Sequence, residues 1–381
     1  MEIIKNILNV GVNDKEIKLF EGQYAVKNGM AYNSYLLIDE KIAVLDTVDQ
    51  GFGEQWLSNI EKAIGEKDVD YLVVHHMEPD HSANIDAFME KYKNATIVSS
   101  QKAFSMMHGF FGTEYDDRRI VIKEGDTLCL GEKELSFVGA PMIHWPEVMV
   151  SYESKTQTLF SADAFGKFGT TYTDEEWLSE ARRYYIGIVG KYGAQVQSLL
   201  KKLSGIEVKR ICALHGPVLD KDLGKYIDLY NTWSSYGVET DGVLIAYTSV
   251  YGNTEKAVFA LEKELKEKGE NVEVVNLATS DMHEAVAQAF RYGKIVLATT
   301  TYNAGIFPFM HQFINHLTER NFQNRTVGII ENGTWAPMAQ KVIKEMLLNS
   351  KNITFAPTTV TIKSAVDEEN MEQIKNLAKE L

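Results

Sequence analysis

From Asp241 to the C-terminus the chain repeats one unit five times: a short apolar run rich in β-branched residues, a polar turn, then a segment with apolar positions at helical spacing. The runs Val243–Tyr247, Val272–Leu277, Lys294–Thr299, Thr326–Ile330 and Ile353–Val360 predict buried strands. The intervening segments Thr254–Lys268, His283–Arg291, Phe309–Arg320, Trp335–Asn349 and Asp367–Leu381 predict helices, the first with Ala257, Val258, Leu261 and Leu265 on one face. Parallel strands joined by helices are covered on both faces, so this rhythm predicts a doubly wound parallel sheet with a ligand site at the carboxyl ends of its strands.

The first 235 or so residues follow a different rhythm of short strands with turn punctuation. Glu16–Phe20, Ser34–Ile38, Ile42–Asp46, Tyr71–His75, Thr96–Ser99, Arg119–Ile122, Val148–Tyr152 and Val208–Ala213 predict strands, while Gly53–Ile64, Asp86–Tyr92 and Asp174–Lys202 predict helices. This half reads as strands sandwiched by helices. At 381 residues the chain exceeds the usual single domain. The polar stretch Trp233–Asp241 is the expected joint, giving domains 1–238 and 239–381.

Composition excludes several classes. No apolar run approaches the roughly 18 residues that span a bilayer, so no membrane association is expected. The N-terminus lacks the tripartite form of a signal peptide, and a cytoplasmic location is expected. Cys129 and Cys212 are too few for a disulfide framework, a redox pair or a thiolate metal cage. A net charge of −14 without a long basic run opposes nucleic-acid binding.

Two constellations carry chemistry. The first is His76-Met-Glu78-Pro-Asp80-His81, directly after a predicted strand. Two carboxylates and two imidazoles within six residues repel or desolvate one another unless a cation offsets them, and a metal is the simplest cation. Further candidates stand where other predicted strands end: His144, Asp163 and His215. His75 is expected to be structural, and His108, His283, His311 and His316 to be ordinary satisfied polar residues. The second constellation is Thr248-Ser-Val-Tyr-Gly-Asn-Thr254, a polar loop between strand and helix where hydroxyls, backbone N–H groups and the helix's positive end can face a phosphate. Neither a Rossmann fingerprint nor a Walker lysine is present. Two further strand-end loops, Thr299–Phe307 and Glu331–Ala336, interleave small residues with Tyr302 and Trp335, as suits a flat ring.

The metal motifs resemble the metallo-β-lactamase-like superfamily, whose hydrolytic members usually carry His-x-His-x-Asp-His and bind zinc. Glu78 in place of the second His matches the flavodiiron proteins, and the match extends through His144, Asp163 and His215 to Asp46-Thr47. A hard carboxylate there suits iron. The resemblance implies an αββα metallo-β-lactamase-like sandwich (α+β) followed by a flavodoxin-like α/β domain, and two non-haem irons. One would be held by His76, Glu78 and His144, the other by Asp80, His81 and His215, with Asp163 bridging. The interval from Asp163 to His215 is shorter than the family's, which implies a trimmed loop around Thr170–Asp174. Tyr184 and Tyr185 also resemble the family and are candidates for a pocket hydroxyl. The later loops resemble those of flavodoxins and imply FMN. Thr248, Ser249, Val250, Gly252, Asn253 and Thr254 would lie at its phosphate, and Thr301, Tyr302, Asn303, Gly305, Asn332, Gly333, Thr334 and Trp335 near its ring.

By that resemblance the protein is an oxidoreductase that reduces dioxygen to water, nitric oxide to nitrous oxide, or both. Electrons would come from rubredoxin or another reduced donor to a head-to-tail homodimer or dimer of dimers. Two other classes are weighed. A dizinc hydrolase with an appended flavodoxin domain conflicts with Glu78, and a simple electron carrier leaves seven clustered ligands without purpose.

Overall fold

A computed structural model describes residues 1–171 and 177–381. The chain forms two compact units, Met1–Tyr185 with Ala194–Asn231, and Ile186–Gly193 with Thr232–Leu381.

The first unit is built on two sheets. One has seven strands in the order Glu2–Ile4, Ile7–Asn9, Tyr35–Ile38, Ile42–Leu45, Tyr71–Val73, Thr96–Ser100 and Arg119–Ile122. The other has five, Thr127–Cys129, Glu134–Gly139, Met149–Glu153, Thr158–Phe160 and Arg210–Cys212. Their inner faces share one core, in which Leu37, Leu45, Val73 and Val98 of the first sheet pack with Leu135, Phe137, Met149 and Phe160 of the second. The alternate residues Leu36, Val44, Leu72 and Ile97 are also buried, so the first sheet is covered on both faces. This is the expected αββα sandwich, with helices Gly53–Ile64 and Gln101–Phe111 among its outer elements.

Some elements differ from expectation. The strand predicted at Glu16–Phe20 shrinks to Leu19–Phe20, because the Asp14 carboxylate accepts the backbone N–H groups of Glu16 and Ile17 and closes a turn there. The helix predicted over Asp174–Lys202 is broken into an α-helix Trp177–Tyr184, a π-helical stretch Tyr185–Val189, a 3₁₀ turn Gly190–Tyr192 and a second α-helix Gly193–Leu203. Gly187, Gly190 and Gly193 make continuous α-helix costly here. A Cβ on Gly193 would stand 2.3 Å from the Ser234 carbonyl oxygen, so the break is also where backbones approach closely. Most of the loop expected to be trimmed, residues 172–174, and the start of the predicted helix lie outside the described residues.

The second unit is a parallel sheet in the order Val272–Asn276, Thr240–Tyr247, Tyr292–Tyr302, Arg325–Asn332 and Ile353–Ile362. Numbered along the chain, that order is 2-1-3-4-5, the flavodoxin-like winding. Its helices are Asn253–Glu267, Met282–Arg291, Pro308–Glu319, Ala339–Met346 and Glu368–Glu380. Only the fourth departs much from prediction: it starts four residues late, since Pro337 disfavours helical backbone at Ala336. Trp335 is therefore a loop residue. Among the described residues no helix is long and apolar enough to cross a membrane.

Candidate metal centre and cofactor cavity

The strand Tyr71–Val73 runs out just before the first motif. Asp46, at the end of the neighbouring strand and in the left-handed backbone region, accepts the N–H groups of His75 at 2.7 Å and His76 at 3.3 Å. Its other oxygen lies 2.6 Å from His75 Nδ1, and His75 Nε2 lies 2.8 Å from Ser151 Oγ. Both nitrogens of His75 are thus occupied, and its role is structural. Pro79 then opens the single helical turn Pro79–Ser82, which carries Asp80 and His81.

The seven candidate ligands meet in two groups: His76, Glu78, His144 and Asp163, and Asp80, His81 and His215. Glu78 Oε2 lies 3.3 Å from His76 Nε2 and 2.9 Å from His144 Nε2. Asp80 Oδ2 lies 3.3 Å from both His81 Nε2 and His215 Nε2. Asp163 faces both groups with different atoms. Its Oδ2 is 3.3 Å from His76 and His144, and its Oδ1 is 3.4 Å from His81 and 3.7 Å from His215.

A cation fits this cluster better than internal hydrogen bonding does. Among the described residues, both oxygens of Asp80 and of Asp163 are buried without a hydrogen-bond partner, a costly state for carboxylates. The Nε2 atoms of His81 and His215 face each other at 3.0 Å, where two protons cannot be accommodated. Burial pushes the Asp163 carboxyl up, yet the charge of His76 and the close approach of the His144, His76 and His81 imidazoles hold it well below the ordinary carboxylate value. Burial likewise opposes the charge on His144, but Asp163 and Glu78 raise it to about 9, while the same imidazoles lower Glu78 to about 2. In each case the anionic centre attracts positive charge strongly enough to outweigh desolvation.

Aromatic rings close the His215 side. Phe20, Tyr184 and Tyr32 have ring centroids 5.4, 5.5 and 6.0 Å from that of His215. Burial, then the charges of Asp163, Glu78 and Asp80, raise the Tyr184 phenol well above its ordinary value, so it remains protonated beside the cluster. Tyr185 is buried too, but packs edge-on against Tyr230 at 5.1 Å.

In the second unit a cavity of about 690 Å³ opens at the carboxyl ends of the strands. Of the residues expected there, Ser249, Val250, Asn253, Thr254, Thr301, Tyr302, Asn303, Asn332, Gly333, Thr334 and Trp335 line it. Thr248, Gly252 and Gly305 do not. The hydroxyl of Thr248 is 2.7 Å from that of Thr299, Gly252 takes the left-handed backbone that starts the helix Asn253–Glu267, and Gly305 pairs with Tyr302 in a short hairpin. Tyr251, Thr300, Ala304 and Ala336, from the same three loops, also line it, and Met338 and Ser364 are wall residues from outside them. Among the described residues, the hydroxyls of Thr254 and Thr300 are buried without a partner. Thr254 sits in the first helical turn, where the helix end favours an anion, so a phosphate fits this wall.

Sequence reading also passed over Glu147, which accepts from His76, and Asn33, whose side chain ties down the loop bearing His215. Glu147's place three residues after His144 was the only available signal.

Residues 30–216 match the model of the ODP family β-lactamase, and residues 244–380 match a flavodoxin domain. Fold and site therefore define a two-domain protein that joins a β-lactamase-type metal-site domain to a flavodoxin domain. The nitric oxide reductase of Moorella thermoacetica is 28% identical over 100% of this chain and 97% of its own. The rubredoxin oxygen:oxidoreductase of Desulfovibrio gigas superposes with a TM-score of 0.92 at 27% identity, covering 100% of this chain and 96% of that one. The flavodiiron protein of Giardia intestinalis gives 0.88 at 26%, covering 99% and 94%. The chain belongs to the flavodiiron proteins.

Proposed function

We propose that this chain is a cytoplasmic flavodiiron oxidoreductase that reduces dioxygen to water, nitric oxide to nitrous oxide, or both. The observation that carries this reading is Asp163, whose two oxygens face two separate groups of ligands at one buried point. In this reading His76, Glu78 and His144 hold one iron, Asp80, His81 and His215 hold the other, and Asp163 bridges them. Domain 1–238 carries the irons and domain 239–381 carries FMN. When bound, two ferrous ions and a two-electron-reduced FMN supply the four electrons that dioxygen requires, and two suffice for a pair of nitric oxide molecules.

The protein's own residues have distinct tasks. Glu78 adds a hard carboxylate where hydrolytic relatives of this fold carry His, which favours iron over zinc. Phe20 and Tyr32 keep water from the His215 side, and Tyr184 presents a protonated phenol that donates a hydrogen bond to an anionic species in the pocket. Thr254 and Ser249 hold the FMN phosphate, while Tyr302, Asn303 and Trp335 border its ring. Electrons arrive from rubredoxin or a similar donor, and a head-to-tail homodimer brings each flavin to its partner's irons.

Metal and flavin analysis with gas-consumption assays tests the whole reading. Purified protein should carry two irons and one FMN per chain and consume one of the two gases when reduced. Glu78→Ala should lose or weaken one iron and leave FMN in place. Full occupancy by zinc, with no reductase activity after iron loading, would replace this reading with a hydrolytic one.

A further inference from the structure

The imidazoles of the cluster differ in what meets the nitrogen facing away from it. His76 Nδ1 lies 2.9 Å from Glu147 Oε1, and the same oxygen accepts the Met77 backbone N–H at 2.8 Å. His215 Nδ1 instead meets a neutral group, the Ala31 carbonyl, at 2.7 Å. Among the described residues, His81 Nδ1 is buried with no hydrogen-bond partner. Glu147 itself is 3% exposed, and its second oxygen is buried without a hydrogen bond among the described residues. A glutamine could accept both hydrogen bonds through its amide oxygen and would avoid a buried charge. The presence of a carboxylate there, with one oxygen unsatisfied, points to a role for the charge and not only for the geometry.

We propose that Glu147 is a positioning residue whose negative charge makes the two metal positions unequal, so that the metal held by His76, Glu78 and His144 is bound more tightly than the one held by Asp80, His81 and His215. This rests on the two-metal reading above. A carboxylate that accepts Nδ1–H fixes the tautomer in which Nε2 offers its lone pair, and it raises the basicity of that nitrogen. A backbone carbonyl does so more weakly, and an unpartnered N–H does not. Asp163 is shared between the positions, and Glu78 and Asp80 supply one carboxylate to each. Glu147 then adds one more buried carboxylate, hydrogen-bonded to an imidazole of the first position.

The test is equilibrium competition between iron(II)-loaded, FMN-containing protein and a chelator of known affinity under anaerobic conditions. The wild-type protein should yield two iron affinities at least about tenfold apart. Glu147→Gln should weaken the tighter one by about ten- to a hundredfold, the usual cost of losing an outer partner of a metal-bound histidine. FMN content should stay unchanged, and the metal-free variant should keep the wild-type fold as read by circular dichroism. Mössbauer spectra of protein loaded with ⁵⁷Fe should show two unlike sites in the wild type and more similar ones in the variant. Wild-type affinities in a folded Glu147→Gln variant overturn the proposal. Should that variant not fold, the wild type decides alone, since two equal affinities overturn it equally. If the wild type takes up two equivalents of neither iron nor another divalent metal, the two-metal reading itself falls, a result distinct from a failure of Glu147 alone.

Discussion

At the scale of single residues, two groups carry measurable consequences. Thr254 Oγ1 is buried, faces no partner among the described residues and stands at a helix N-terminus on the cavity wall. A hydroxyl donating to phosphate forms a charge-assisted hydrogen bond worth about 1.5–3 kcal/mol, so Thr254→Ala should weaken FMN binding roughly ten- to a hundredfold, as read by fluorescence titration, with iron content unchanged. The second group is the His144–Glu78 pair at 2.9 Å. In metal-free protein His144 is raised from 6.5 to about 9, so its stabilising contribution is complete below pH 6.5 and is lost as pH rises toward 9. Glu78 is lowered from 4.5 to about 2, so its contribution is present above pH 4.5 and is lost as pH falls toward 2. Through this pair the metal-free protein should be most stable between pH 4.5 and 6.5. Melting curves across pH should show a decline from 6.5 to 9 that metal loading abolishes, because a bound metal takes the place of the protons. A metal-free protein whose stability rises over that interval would show that the pair does not govern it.

At the scale of elements, the centre depends on how loops from separate strands are tied together. Asn33 follows the strand Met30–Tyr32, and its side-chain amide donates to the carbonyls of Ala213 at 2.9 Å and Gly216 at 2.8 Å, on either side of His215. Asn33→Leu leaves two buried carbonyls without these donors, each worth about 1–3 kcal/mol. The variant should unfold at lower temperature and lose metal first from the position that uses His215, as measured by calorimetry and elemental analysis. Such ties also mark where sequence reading stops. His76 to His81 were legible because four ligating side chains fall within six residues, so chemistry showed before any fold was known. The βα rhythm of the second unit was legible because each strand and helix has its own periodicity. Glu147, Asn33 and Phe20 were not, since their roles arise from contacts among segments remote in sequence, and a polar or aromatic residue in a loop carries no mark of its partner. The strands Thr127–Cys129 and Thr158–Phe160 are too short to display a period, and the six-residue strand Glu134–Gly139 was missed despite the alternation of Leu135 and Phe137. The helix expected up to Lys202 breaks for a nearer reason: its apolar spacing suits a helix, but Gly187, Gly190 and Gly193 raise the backbone cost of a continuous one.

At the scale of the whole molecule, the cavity rim bears on assembly. Tyr251 and Trp335 are each 91% exposed, and Val250 and Tyr302 are also exposed around the same opening. Large apolar side chains gathered at one rim mark a surface that another body covers. The proposed head-to-tail dimer supplies such a body and gives each flavin a route to its partner's irons. It also makes a sharp claim about mixed dimers. Combine His144→Ala, which lacks a complete metal position, with a flavin-loop variant that has lost FMN. In each mixed dimer the flavin of the first chain would face the irons of the second, while the reciprocal pair would lack FMN and a complete metal centre. Random exchange makes about half of the dimers mixed, each with one of its two sites intact, so about a quarter of the wild-type activity should return from two inactive parents. Exchange is followed independently by native mass spectrometry. Full exchange with both remaining cofactors in place and no recovered activity would mean that electrons pass within one chain, and the rim would then need a different partner.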